Sequence, residues 1–195
     1  VRGNHDAMIT QTIASDEAPY AIHLGGVTLA VIDTVVPGVD RGAISAQQLV
    51  WLDDLAAETT QPVLVFGHHH PWNPTSPKRS ATYFGINPDD SDALIALIAR
   101  REAIAGYFAG HTHRNRVRRF GVARDVPIGE VACVKDYPGA WAEYNIYESG
   151  YTQVVRRIAD VRALAWTEKT RGMFDGLYRD YALGSLGDRC FTQSF

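Results

Sequence analysis

Apolar residues recur along this chain with two periods, and the change of period marks its elements. Residues 20–33, YAIHLGGVTLAVID, read as two strands joined at Gly25-Gly26, where glycine accepts the positive φ of a tight hairpin turn. Residues 45–57 read as a helix. Leu49, Leu52 and Leu55 line one face, and Ser45 with Gln48 makes a capping-box pattern at its start. The run PVLVFG at 62–67 is short and continuously apolar, as a buried strand is. Residues 71–88 hold four prolines with Trp72 and Tyr83 and predict a long loop. Residues 89–101 open with three acids and a serine, then carry Leu94, Leu97 and Ile98 at helical spacing. IAGYFAG at 104–110 predicts a second buried strand that ends in glycine.

After Arg114 the pattern shifts. NRVRRF, GEVACVKD, AEYNIYE and TQVVRRIA predict antiparallel strands, with turns at Gly121, Pro138-Gly139 and Ser149-Gly150. From Asp160 the chain reads as helical again. Phe174, Leu177, Tyr178 and Tyr181 recur at helical spacing, and Gly172 is the expected break. Alternating strands and helices followed by a run of strands predict a layered α/β sandwich. No internal repeat or low-complexity tract interrupts it.

Composition sharpens this picture. The 195 residues suit one domain with a small appendage, and 46% apolar residues allow a sizeable core. Nineteen basic against 22 acidic residues give a net charge of −3, which makes no electrostatic case for nucleic acid or an anionic membrane. The two cysteines, Cys133 and Cys190, are far apart and fit no CxxC pattern. They read as reduced thiols, and a cytoplasmic setting is expected. No apolar run approaches a membrane span. The first residue is Val, so the pattern is silent on any leader peptide.

The histidines carry the chemistry. Six of seven fall in three short clusters: His5; His68, His69 and His70; His111 and His113. The second and third follow predicted buried strands, where an α/β sheet places its functional loops. A glycine just before each lets the backbone turn and approach an ion closely. Neutral imidazole suits zinc, iron and manganese-like ions, and Asn4 offers a carbonyl oxygen to a hard or borderline cation. His111 and His113 at i, i+2 share one side of an extended segment, and could serve one metal or two adjacent ones. Each cluster also has a plain reading: His23 as a packed or surface residue, HHH as a surface tract, GHTH as a turn. The three clusters together, in this order and after these strands, point to a metal site.

These motifs resemble the calcineurin-like metallophosphoesterase superfamily. Its five ordered motifs are D-x-H, G-D-x-x-[DN], G-N-H-[DE], a strand-end His and G-H-x-H. GNHD at 3–6, GHHH at 67–70 and GHTH at 110–113 match the last three. IDTVVPG at 32–38 and QQLVWLDDL at 47–55 resemble the branch of bacterial cyclic-nucleotide phosphodiesterases. The resemblance implies an α/β/β/α metallophosphoesterase sandwich over residues 1–158, N-terminally truncated, with 159–195 as a helical extension. It implies hydrolysis of a small-molecule phosphoester, with two divalent ions (Mn, Fe or Zn) and a metal-bridging hydroxide as nucleophile. It assigns Asn4 to the second metal, His5 to protonating the leaving oxygen, and Asp6 to orienting His5. One of His68 and His69 joins the second metal. His68 is preferred because it directly follows the strand-end glycine, whereas a family H-x-P pattern with Pro71 would favour His69. His111 joins the second metal and His113 the first.

The first two family motifs do not occur in the chain. No D-x-H is present, and GDRCF at 187–191 has Phe191 where Asp or Asn is needed. The resemblance places them upstream of Val1. The missing carboxylate that bridges the metals offsets their repulsion. The chain alone is therefore expected to bind at most one metal weakly and to be a poor catalyst. The alternatives are a non-catalytic remnant of the fold and a nuclease, the latter disfavoured by the net charge. Arg114, Arg116 and Arg118 share a strand face and serve either a phosphate-bearing substrate or a solvated edge strand. Trp72, Asn73 and Tyr83 form either a base-stacking wall or an ordinary covering loop. The amphipathic tail packs either on the sandwich or on a second copy, as a homodimer.

Overall fold

The computed structural model describes residues 1–9 and 18–195. Its elements divide between two compact units, residues 1–111 with 119–128, and residues 112–118 with 129–195.

The first unit begins with helix α1 (Asn4–Ile9). Strands β1 (Tyr20–Leu24) and β2 (Val27–Val31) form the hairpin, with Leu24 opposite Val27 and Gly26 at φ 92°. Helix α2 (Ala46–Glu58) starts at Ser45, whose side chain accepts from the Gln48 N–H. The expected capping box is only half made. The Gln48 side chain instead turns to Asp33, accepting its N–H and donating to its C=O, both at 2.8 Å. It thereby anchors the segment that follows β2.

Strand β3 (Val63–Phe66) and helix α3 (Pro88–Arg100) follow. Asn87 caps α3 and Pro88 occupies its first turn, where its missing N–H costs nothing. Strand β4 (Ile104–Ala109) is buried along its whole length. Strands β2, β3 and β4 are parallel neighbours, with Val31 opposite Phe66 and Phe66 opposite Phe108. Leu52 of α2, Leu94, Leu97 and Ile98 of α3, and Val63, Val65 and Ile104 of the sheet form one apolar core. Parallel strands buried on both faces explain why β3 and β4 read as continuous apolar runs. Arg124 closes the end of α3 by donating to the carbonyls of Ile98, Arg101 and Ile104.

The second unit contains strand β5 (Arg116–Arg118) and residues 129 and 130 of β6 (Ile128–Glu130). A meander of β7 (Ala140–Tyr147) and β8 (Gly150–Arg157) follows, in antiparallel register from Ala140–Arg157 to Tyr147–Gly150. Helix α4 (Val161–Thr170) is capped by Asp160. Helix α5 (Met173–Tyr181) departs from helical geometry at Phe174, Asp175 and Gly176, so the break falls just after Gly172 rather than on it. A short helix α6 (Leu186–Arg189) leads into β9 (Cys190–Ser194), which pairs antiparallel with β8. The segment after residue 158 thus ends in a strand, not a helix: backbone pairing along β8 gives CFTQS a ladder that its own short pattern does not announce. The chain is of mixed α/β class. No helix among the described residues is long and apolar enough to cross a membrane.

Candidate metal centre

Two neighbouring parallel strands, β3 and β4, end in Gly67 and Gly110 and deliver the histidines. The Gly110 N–H donates to the His68 carbonyl at 3.0 Å, so the two loops are tied together. His111 then takes a left-handed conformation, φ 62°, which an L-residue holds only at a cost. Strain of this kind collects at functional sites. From the other side, α1 brings Asn4. A Cβ on Gly3 would lie 2.9 Å from the His68 ring, so glycine is what allows this approach.

Three of the sequence-predicted ligands meet. His68 Nε2 lies 2.9 Å from Asn4 Oδ1 and 3.2 Å from His111 Nδ1. The amide oxygen can only accept, and each imidazole nitrogen either accepts or donates. At most one proton serves each contact. A divalent cation would satisfy them together. The donor set therefore fits a borderline metal.

His69 joins this cluster: one ligand atom from each of His68, His69 and His111 lies within 4.8 Å of the others. Its ring is fully buried. Nδ1 pairs with the Thr34 hydroxyl at 2.9 Å, and the same oxygen accepts the backbone N–H of His68 and His69. The Tyr107 hydroxyl donates to the His69 carbonyl at 2.6 Å. Nε2 makes no hydrogen bond among the described residues. One nitrogen held by an oxygen and the other left bare is the arrangement of a metal-ligating histidine. Both His68 and His69 are therefore candidates, where the strand-end glycine alone favoured His68.

Burial lowers the His69 pKa from 6.5 to about 4, with the backbone of Asp40 and Thr34 offsetting part of the effect. Between these values the unfolded chain binds a proton that the folded chain refuses. Stability of the metal-free protein is then lost as pH falls from 6.5 to about 4 and levels off below. The full effect is up to about 3 kcal/mol. Urea midpoints measured across this window should fall with pH, and His69→Gln should flatten that dependence.

The remaining predicted residues lie differently. His5 and Asp6 are exposed on α1. The Asp6 carboxylate accepts the Gly3 N–H at 2.8 Å and makes no hydrogen bond to His5 among the described residues. His113, φ 54°, belongs to the second unit, where Nδ1 lies 2.9 Å from Asp136 Oδ2 and 3.1 Å from the Tyr178 hydroxyl. In the 71–88 loop Trp72 is buried against Tyr83, ring centroids 4.7 Å apart. The exposed ring beside the metal cluster is Phe84, stacked on His111 at 4.0 Å. Sequence reasoning missed Phe84 because no period distinguishes it from its neighbours in an irregular loop. Thr34 and Tyr107 were missed because their partners are more than 30 positions away.

The arginines also differ from both expected uses. Glu130, fully buried, gathers them: it accepts from Arg114 Nε at 3.0 Å, Arg116 Nε at 2.6 Å and the Thr112 hydroxyl at 2.8 Å. Only Arg116 and Arg118 lie on a strand, β5, whereas Arg114 precedes it in a bend, and the three gather at a carboxylate rather than facing open solvent.

No family model matches the chain. Curated relatives do. A cAMP/cGMP dual specificity phosphodiesterase of Mycobacterium tuberculosis is 30% identical over 140 residues, which is 68% of this chain and 42% of the relative. A probable cyclic nucleotide phosphodiesterase of Psychrobacter is 28% identical over 101 residues, 52% of this chain and 28% of the relative. Another from Synechococcus is 24% identical over 157 residues, 77% of this chain and 60% of the relative. The chain thus spans between about a quarter and three fifths of the length of these relatives. Among solved structures, a dimetal phosphatase from Danio rerio aligns with a TM-score of 0.46 at 20% identity, covering 60% of this chain and 36% of that one.

Proposed function

We propose that this chain, whose motifs and curated relatives accord with the calcineurin-like metallophosphoesterases, carries the leaving-group and second-metal side of a metal-dependent phosphodiesterase acting on cyclic nucleotides. The observation that carries this reading is the meeting of Asn4, His68 and His111 at one nitrogen, with the bare Nε2 of His69 beside them. Asn4, His111 and one or both of His68 and His69 hold the second metal, and His113 serves the first. When bound, divalent cations would act as Lewis acids toward the phosphoryl oxygens and make a nucleophile available at neutral pH.

The chain's own residues do the rest. His5, on the helix turn that bears Asn4, donates the proton that the departing sugar oxygen needs. Asp6 is within one residue of it and takes up the orienting role once a substrate anion draws the imidazole inward. Phe84 gives an exposed apolar face next to His111 against which a nucleobase lies. The relatives' cyclic-nucleotide substrates suit such a surface.

A leaving-group acid matters in proportion to the basicity of the leaving oxygen. His5→Ala should therefore slow hydrolysis of cyclic AMP by roughly 100-fold, within the usual range for general acids. Hydrolysis of bis(p-nitrophenyl) phosphate, whose leaving group needs no proton, should change little. Both should be metal-dependent and slow. Equal loss on the two substrates would contradict the role of His5. A second reading, a metal-binding remnant, is favoured by one feature: the imidazole cluster includes no carboxylate among the described residues. Metal binding by the cluster with no turnover of either substrate is the result that reading expects.

A further inference from the structure

His113 does not stand alone in its unit. Cys133 and Asp136, spaced Cys-x-x-Asp, flank it. One ligand atom from each of the three lies within 4.8 Å of the others. Asp136 Oδ2 is 2.9 Å from His113 Nδ1 and 3.8 Å from Cys133 Sγ. The segment is closed on itself: the Ala140 N–H donates to the Cys133 carbonyl at 3.1 Å and the Gly139 N–H to the Asp136 carbonyl at 2.6 Å. Asp136 is buried, and His113 is held at a left-handed φ of 54°.

We propose that His113, Cys133 and Asp136 form a binding site for a borderline-soft divalent cation, zinc above all. The proposal rests on the preceding reading only in taking His113 as a ligand. It adds two donors that the family motifs do not supply. One thiolate and one carboxylate offset a 2+ charge, with neutral imidazole as third ligand, and metal binding would draw Asp136 Oδ2 away from Lys135 Nζ, now 3.7 Å from it. In a tetrahedral zinc site, ligands about 2.0–2.3 Å from the metal lie roughly 3.3–3.8 Å from one another. The carboxylate–sulfur distance already matches, and the carboxylate–imidazole pair needs to open by a few tenths of an ångström. Binding replaces the thiol proton, which is released to solvent, while the neutral His113 ring ligates through one nitrogen and keeps its proton on the other. The fourth position is free for water or a phosphoryl oxygen. The Tyr178 hydroxyl lies 3.1 Å from His113 Nδ1. A thiolate donor selects zinc or cobalt over manganese, magnesium or calcium.

The test uses cobalt(II) as the zinc surrogate on the whole chain under reducing conditions. Addition of one equivalent should produce the near-ultraviolet thiolate-to-cobalt charge-transfer band and intense tetrahedral d–d bands, and one equivalent of zinc should abolish both. Cys133→Ser should lose the charge-transfer band entirely, and Asp136→Asn and His113→Ala should weaken it. Cys190→Ser and His68→Ala should keep it, since neither touches the site. Circular dichroism of each variant establishes that the fold persists. No charge-transfer band at saturating cobalt, or a band that survives Cys133→Ser and vanishes in Cys190→Ser, overturns the proposal. Because the His68 variant leaves the band intact, failure here and failure of the imidazole cluster are read separately.

Discussion

Glu130→Ala is expected to lower the unfolding free energy by about 3–5 kcal/mol, the range for removing one partner of a buried ion pair. Its carboxylate has no exposure, and both oxygens are in use. Two guanidiniums donate to it at 3.0 Å or less, and Arg118 lies 3.9 Å away. Without it, several positive charges on one short strand face each other, and the Thr112 hydroxyl loses its acceptor. Thr112 sits between His111 and His113, so the loop that presents both histidines should loosen as well. Glu130→Gln separates packing from charge, since it keeps the volume. It should cost nearly as much as alanine if ion pairing dominates. Chemical denaturation checks both. A loss below about 1 kcal/mol, the value of an exposed ion pair, would mean that the arginines find water instead.

Gly67→Ala is expected to cost about 3–5 kcal/mol, combining overpacking with a lost buried hydrogen bond. The added Cβ would lie 2.3 Å from the Tyr107 hydroxyl and 3.1 Å from the Thr34 methyl. Tyr107 is fully buried, and burial pushes its hydroxyl pKa far up, so it acts purely as a donor to the His69 carbonyl. To admit the methyl group, that hydroxyl must leave its acceptor. Tyr107→Phe removes the obstruction. The double variant should therefore be more stable than the sum of the two single losses predicts, by roughly 1–3 kcal/mol of coupling. Strict additivity would show that the backbone, not Tyr107, absorbs the clash.

Much of the first unit was legible because its signals are local. The Gly25-Gly26 hairpin, the leucine face of α2 and the two apolar strands ending in glycine all announce themselves within a dozen residues. The histidine clusters were legible for the same reason: a strand end followed by glycine and histidine is a pattern in one dimension. What escaped was long-range. Gln48 looked like half of a capping box, yet Asp33 offers it two hydrogen bonds against one at the helix end. The arginine stripe looks like an edge facing water in the sequence, because its acid is 12–16 residues away. Trp72 and Tyr83 stand out in the sequence, yet they pack on each other, and Phe84 is the ring stacked on His111. Cys133 and Asp136 were read as parts of a strand, although the chain there folds into a closed turn after β6 ends at Glu130.

The central proposal is that Asn4, His68, His69 and His111 form a metal-binding cluster. Calorimetric titration of zinc into the Cys133→Ser chain, with and without His111→Ala, tests it most directly. The background substitution silences the thiolate site. One zinc per chain is expected in the parent, with an affinity lower by at least about 100-fold after His111→Ala, since even losing a group that only orients a ligand costs about 10–100-fold. Unchanged stoichiometry and affinity in the His111→Ala chain would contradict it.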